Sequence, residues 1–133
     1  MSENYLSVMT LIKVVFDELS FLRHGYKNDN QATMNLNVLI GENEVQNLNK
    51  VSITLSIIKE AEYDLTVKIS GFFEINETGN LKKEELLKKN AVAILMPFIR
   101  SQVSILTAQP ETESLILPVF NISKLMEDND SIV

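Results

Sequence analysis

The side chains that could act in acid–base chemistry include one histidine and two pairs of adjacent acids. His24 lies beside Gly25 in a turn-like segment, and no nucleophile or orienting carboxylate stands at a recognisable spacing from it. A catalytic base needs such a partner. Asp17 and Glu18 are neighbours in a segment that suits a strand, where adjacent side chains point to opposite faces. We therefore interpret His24 as a surface side chain and this acid pair as solvated.

The second acid pair lies in the segment 82–89, which reads KKEELLKK. Acids and lysines four residues apart form ion pairs on a helix surface, so this segment predicts a solvated helix face. The chain has no cysteine, which removes disulfides, zinc–thiolate sites and thiol nucleophiles. With one histidine, a transition-metal site would have to consist almost entirely of carboxylates. The sequence thus predicts no enzyme, no catalytic residue, no metal site and no cofactor.

The composition is that of one globular domain, and we expect a single domain over residues 1–133. Apolar residues make up 45% and charged residues 23%, with a net charge of -6. This acidic balance argues against binding to a nucleic-acid backbone. Charged residues interrupt the first apolar stretch, and no apolar run reaches the roughly 18 residues of a membrane span. We expect a cytoplasmic protein that does not insert into membranes.

The elements that position these side chains begin with strands. Strict alternation of apolar and polar residues predicts three of them, over 33–41, 49–60 and 62–76. The segment 5–23 fits both helical and strand spacing. Its β-branched and aromatic residues Val14, Val15 and Phe16 favour a strand. On a regular strand Leu11, Lys13, Val15 and Asp17 would share one face, with Ile12, Val14 and Phe16 on the other. Gly71 predicts a bulge or bend.

Helices follow the strands. The charged segment 81–90 predicts one helix, and Asn90 would cap a second, apolar helix that Pro97 starts or kinks. The segment 115–120 predicts extended chain, and a short helix would run from Ile122 to about Glu127. Consecutive antiparallel strands, as a meander or a Greek key, followed by helices predict an α+β domain with the helices on one face of the sheet.

Four segments in this order resemble the SecB family of protein-export chaperones. In "NAVAILMPFIRSQVSILT" (90–107) the residues from Met96 to Arg100 stand where that family has Phe-Pro-Tyr-x-Arg. "LILPVFNISKL" (115–125) resembles the family's Leu-x-Pro-Val-Asn-Phe-x-x-Leu segment. "SGFFEI" (70–75) and "FDELSF" (16–21) are similar to two of its strands. The resemblance covers nearly the whole chain.

The resemblance implies a four-stranded antiparallel sheet with two helices on one face and a homotetramer built as a dimer of dimers. The long helix would then lie between the sheets of two dimers. Arg100 would find carboxylate or carbonyl partners across a two-fold axis. The alternative is a monomeric core helix whose arginine reaches solvent. The expected oligomer-interface residues are Pro97, Phe98, Arg100, Val103 and Ser104.

The function implied by the resemblance is that of a holdase, which binds unfolded polypeptides in apolar grooves and passes preproteins to the translocation ATPase SecA. Binding the unfolded state preferentially keeps it unfolded. Carried over by position, the expected client-binding residues are Tyr26, Met34, Leu36, Phe120, Ile122, Leu125 and Met126.

The SecA-binding positions match in part only. The family uses acidic residues on the solvent face of the sheet, and Glu18 matches one of them. Two further acidic positions are Leu22 and Thr66 here. Two alternatives stay open: a dedicated chaperone of the antitoxin in a toxin–antitoxin system, and an oligomeric adaptor without chaperone activity.

Overall fold

The computed structural model describes residues 9–43, 45–76 and 82–117. Four strands form one antiparallel sheet, as the sequence predicts, and the region 5–23 is a strand from residue 9 on. Their bounds are β1 Met9–Arg23, β2 Ala32–Gly41, β3 Asn49–Lys59 and β4 Tyr63–Ile75.

The order of strands across the sheet is β1-β4-β3-β2. Of the two predicted arrangements this is the Greek key, since β2, β3 and β4 are consecutive neighbours and β1 pairs with β4. The strands β1 and β2 form the two edges, and the connection 24–31 must cross from one edge to the other.

One face of the sheet is apolar because β3 and β4 alternate strictly. Val51, Ile53, Leu55 and Ile57 are all buried, as are the corresponding residues of β4. Ser and Thr residues alternate with them on the other face, which we call the outer face. The outer face therefore needs no second layer, and the helix covers only the apolar one.

The strand β1 departs from simple alternation. Its pairing with β4 shifts between Leu11 and Lys13 and again between Phe16 and Glu18. The first bulge adds one residue, so Leu11 joins Val14 and Phe16 against the core. The prediction that Val14 and Phe16 share a face is confirmed, whereas the placement of Leu11 on the opposite face is wrong.

Gly71 makes no bulge, contrary to the prediction. It pairs with Val14 and Val51 in an unbroken β4. An added Cβ at Gly71 would lie 2.8 Å from Cδ2 of Leu95, so the missing side chain lets the helix approach the sheet.

The helical region is continuous from Lys83 to Thr107, whereas two helices were expected from the sequence. An α-helical start, Lys83–Leu86 (α1), passes through a π-helical turn, Leu87–Ala91, into Val92–Thr107 (α2). Asn90 lies inside the π-helical turn and is not an N-cap, and Pro97 lies inside α2. The helix is long and apolar enough to cross a membrane, but core helices meet the same criterion. The expected helix after Ile122 lies outside the described residues.

The helix packs on the sheet through side chains that recur at helical spacing. Val92, Leu95, Ile99 and Val103 are completely buried under the sheet, where α2 contacts β1, β3 and β4. Together with the single sheet they give an α+β domain, which confirms the predicted fold class. Beyond the helix the chain turns at residues 108–111 and returns along α2 to Leu117.

Candidate functional site

Large apolar side chains stay uncovered along both edges of the sheet and on the outer side of the helix. Each of the following is at least 39% exposed: Ile12, Val15, Leu19 and Leu22 on β1, Met34 and Leu39 on β2, and Phe98 and Ile105 on α2. Both edge strands also offer unpaired backbone groups. Exposed apolar side chains beside unpaired backbone are what an extended polypeptide needs in a partner.

Three of the expected client-binding residues lie within the described part of the chain. Met34 and Leu36 are on the helix side of β2, paired with Ile57 and Leu55. Leu36 is 8% exposed and serves the core, whereas Met34 is 42% and Tyr26 91% exposed. Met34 and Tyr26 are thus accessible to a partner. The other four lie outside the described residues: Phe120, Ile122, Leu125 and Met126.

The connection 24–31 is fixed to the turn between β3 and β4. The backbone amides of His24 and Gly25 both donate to the carbonyl oxygen of Glu62, at 3.0 and 3.2 Å. A Cβ at Gly25 would lie 1.8 Å from the carbonyl oxygen of Ala61, so only glycine allows this crossing. The crossing carries the chain from the edge β1 to the edge β2.

A buried ion pair underlies this crossing. The Glu62 side chain is fully buried, and its Oε1 accepts hydrogen bonds from Lys59 Nζ at 3.0 Å and from the Asn28 amide at 2.9 Å. Its Oε2 is buried without a hydrogen-bond partner among the described residues. Burial is the largest single influence on the pKa of Glu62 and would raise it, but the hydrogen bonds from Lys59 and Asn28 and the charges of Lys59 and Arg23 together lower the pKa.

Sequence reasoning missed this pair. The segment "KEAEYD" (59–64) is as charged as any solvated turn, and the only signal is the spacing of three residues between Lys59 and Glu62. Nothing in that spacing shows that a second loop will cover the turn. The burial arises from the Greek-key crossing, which is a property of the whole fold.

A cavity of about 150 Å³ lies beside the ion pair. Its walls come from the start of β2, the turn between β3 and β4, and the returning segment after α2: Asn30, Ala32, Lys59, Tyr63, Glu113, Ser114 and Leu115. The ring of Tyr63 stacks on Phe21 with centroids 4.7 Å apart, and burial raises the pKa of its hydroxyl. The wall of the cavity therefore contains an aromatic residue and charged residues.

Glu18 lies on the outer face, where the resemblance places it. It pairs across the sheet with Lys68, and its Oε2 accepts a hydrogen bond from Ser20 at 2.9 Å. The charged side chains that the strands place on this face are mixed: Asp17, Glu18, Asp64 and Glu74 against Lys13, Lys50 and Lys68. The described part of this face is therefore nearly balanced in charge.

The expected interface residues separate into three groups. Pro97 and Phe98 are exposed on the outer side of α2. Val103 is completely buried under its own sheet. Arg100 and Ser104 are half-buried and bond to the returning segment of the same chain. Only Pro97 and Phe98 of this set present a freely accessible surface.

This arrangement, an open four-stranded antiparallel sheet with one long helix on its apolar face, is the SecB-like fold. The Mycobacterium tuberculosis Rv1957 SecB-like chaperone, solved in complex with a ChAD peptide from the Rv1956 HigA1 antitoxin, has this fold. It matches at a TM-score of 0.70 and 14% identity, covering 85% of this chain and 91% of that one.

Two further comparisons concern the amino-acid sequence. An uncharacterized protein of Methanocaldococcus jannaschii is 27% identical over 117 residues, which are 80% of this chain and 74% of the relative. No protein-family model matches the chain.

Proposed function

We propose that this chain is a chaperone that holds unfolded or extended polypeptide segments and catalyses no reaction. The observation that carries the proposal is the set of uncovered apolar side chains on both edge strands of a SecB-like sheet. An unfolded segment exposes apolar side chains and unsatisfied backbone groups, and each Å² of apolar surface buried contributes about 25 cal/mol. Such contacts need no fixed sequence in the client.

We further propose that the client is a dedicated partner of the antitoxin type. The solved SecB-like chaperone of similar fold carries an antitoxin peptide, which supports this choice. The near balance of charge on the outer face also favours it, because Glu18 stands opposite Lys68 and beside Ser20. The family's contact with SecA uses acidic residues on this face, so a net negative surface would favour that contact. Transfer of preproteins to SecA is the second candidate.

The proposed assembly is a cytoplasmic homotetramer in which the outer side of α2 meets another copy. Between Val92 and Thr107 the one charged residue is Arg100, and its guanidinium bonds within its own chain. The exposed residues Pro97, Phe98 and Ile105 thus form an uncharged apolar strip on the helix. Covering such a strip by a second copy would remove it from water.

Native mass spectrometry with an unfolded client tests the proposal. The protein is measured alone, with a chemically unfolded slow-folding protein, and with the same protein folded. We expect a mass of about four chains of 15.1 kDa that gains client mass with the unfolded form and none with the folded form. A chain that binds neither form, or binds both equally, would contradict the holdase function.

The choice between the two client routes is tested with two peptides. Two labelled peptides are titrated separately, and binding is followed by fluorescence anisotropy. One is a SecA tail peptide, and the other is a segment of the antitoxin whose gene lies nearest to the gene of this chain. Tight binding of the antitoxin segment with none of the SecA peptide supports the dedicated role. The reverse result would move the chain to preprotein export.

A further inference from the structure

Three polar side chains of α2 bind the backbone of the segment that returns after the helix. Arg100 Nε donates to the carbonyl oxygen of Leu117 at 3.2 Å, and Ser104 Oγ donates to that of Leu115 at 3.5 Å. Thr107 Oγ1 accepts from the Leu115 amide at 2.8 Å. Spacings of four and three residues place all three side chains on one side of the helix. Backbone groups are alike in every sequence, so this row can bind any extended chain.

The side chains of the last three residues of the segment alternate as they do in a docked peptide. We call residues 112–117 the strap. Leu117 is 4% exposed and Leu115 is half-buried against the core, whereas Ile116 between them is 76% exposed. An extended peptide that lies in a groove inserts every second side chain and leaves the others in solvent. The strap thus occupies its site through two leucines and its backbone.

The strap is held less firmly than a strand of the sheet. Within the described ranges it forms no backbone–backbone hydrogen bond. A further contact comes from Arg23, whose guanidinium bonds the Thr112 hydroxyl on the exposed surface. The cavity lined by Glu113, Ser114 and Leu115 leaves open space along one side of it. A segment with these contacts opens at lower free energy than the sheet beneath it.

We infer that the strap stands in for a client: it occupies the site at which an extended segment of the pattern apolar–any–apolar binds, so that strap and client exclude one another. This inference rests on the proposed holdase function. The site should select an apolar pair of side chains at alternate positions, because Leu117 belongs to the hydrophobic core and Leu115 packs against it. Arg100, Ser104 and Thr107 would bond the client backbone in place of the strap backbone.

An internal competitor lowers the affinity that is measured for the client. When only a fraction of the molecules has an open site, the apparent dissociation constant rises by the inverse of that fraction. A change that loosens the strap, without touching the row on α2, must therefore strengthen client binding. A merely structural strap predicts the opposite, since its loss would damage the domain.

The test compares Leu117→Ala with Ile116→Ala. The probe is a labelled synthetic peptide with the sequence of residues 109–118, and binding is followed by fluorescence anisotropy. Leu117 is the buried anchor of the strap, so its truncation should increase peptide affinity about tenfold or more. Ile116 faces solvent, and its truncation should leave the affinity within about twofold. A control peptide with serine at the positions of Leu115 and Leu117 should not bind.

Equal or weaker binding by Leu117→Ala than by the unchanged protein would overturn the inference. Hydrogen exchange on the unchanged protein provides a measurement that does not depend on the folding of any variant. The Leu115 amide, which donates to the buried Thr107 hydroxyl, should exchange faster when the peptide is saturating. Unchanged or slower exchange would overturn the inference as well.

The failure of the proposed function would look different. If the protein binds the strap peptide as expected but gains no mass from the unfolded client, the competition between strap and peptide is supported and the proposed holdase function is contradicted. If the protein gains client mass but Leu117→Ala binds the strap peptide no more tightly than the unchanged protein, the holdase function is supported and the strap inference is contradicted.

Discussion

Arg100 donates a hydrogen bond from Nε to the carbonyl oxygen of Leu117, 3.2 Å away in the same chain. An arginine in an apolar helix is unusual because its charge must stay solvated or paired. The resemblance to SecB implied a partner across a two-fold axis, but the chain supplies this carbonyl itself. Leu117 follows the turn after α2, so the partner lies seventeen residues along the chain.

The Arg100 contact should contribute measurably to stability. We expect Arg100→Met, which keeps most of the aliphatic stem, to lower the free energy of unfolding by about 1–3 kcal/mol, as for hydrogen bonds from charged groups. The matched control is Lys89→Met on the same helical region, where an exposed pair with Glu85 contributes about 0.5 kcal/mol or less. Urea denaturation of both variants measures the difference. Equal losses of unfolding free energy in Arg100→Met and Lys89→Met would contradict a stabilising role for the Arg100 hydrogen bond.

The buried pair of Lys59 and Glu62 should behave as one unit. Lys59→Met leaves a buried carboxylate without its cation and should cost about 3–5 kcal/mol. Adding Glu62→Leu removes that uncompensated charge, so the double variant should be more stable than the sum of the single changes predicts by about 1–3 kcal/mol. The same cycle on the exposed pair His24 and Asp64 should give less than about 1 kcal/mol. If the changes in unfolding free energy of the two single variants simply add in the double variant, the interaction between Lys59 and Glu62 would be contradicted.

The pH dependence of stability follows from Glu62. Its pKa in the folded chain is lowered from the ordinary value of 4.5, so the folded state favours the carboxylate. The stabilisation is complete above about pH 4.5 and is lost as the pH falls towards the lowered pKa. Between pH 7 and pH 3, the difference in unfolding free energy between the unchanged protein and Glu62→Gln should therefore shrink. A difference that grows with acid would show that the folded pKa is raised.

The loop crossing predicts opposite tolerances at two glycines. Gly25→Ala would place a methyl group 1.8 Å from the Ala61 carbonyl oxygen, and backbone cannot move aside cheaply. We expect a loss of about 2 kcal/mol or more. Gly41→Ala has no heavy atom within 4 Å of its new Cβ and should stay within about 0.5 kcal/mol. Thermal unfolding of the two variants measures the difference in stability. A Gly25→Ala variant as stable as the unchanged protein would contradict the close approach of Gly25 to the Ala61 carbonyl oxygen.

Much of this fold could be predicted from alternation alone. The predicted strands 33–41, 49–60 and 62–76 agree with β2, β3 and β4 to within a residue at each end. They are regular, with one face buried, and a period of two is then a reliable signal. The strand β1 shows the limit, because its two bulges respond to its neighbour β4 and leave no mark in local composition.

The site was less predictable because its contacts join distant parts of the chain. The burial of Glu62 needs the 24–31 crossing, and the role of Thr107 needs the return of Leu115. Neither residue differs locally from a solvated one. The prediction of a bend at Gly71 was wrong for a related reason. The glycine makes room for Leu95 of the helix, and the sequence alone does not show that these two residues meet.

The apolar strip on α2 carries the last prediction, on assembly. Phe98 is 39% exposed, so Phe98→Glu should leave the fold intact and add a charge to the strip. If the strip joins two copies, that charge must be buried twice at a two-fold contact, and the assembly should dissociate. Native mass spectrometry should show the tetramer replaced by smaller species. Leu22→Glu on the outer face is the control, since Leu22 is 65% exposed and lies on the opposite side of the sheet from the helix. Dissociation by Leu22→Glu with none by Phe98→Glu would place the interface on β1 instead of the helix, and would free the strip on α2 for clients.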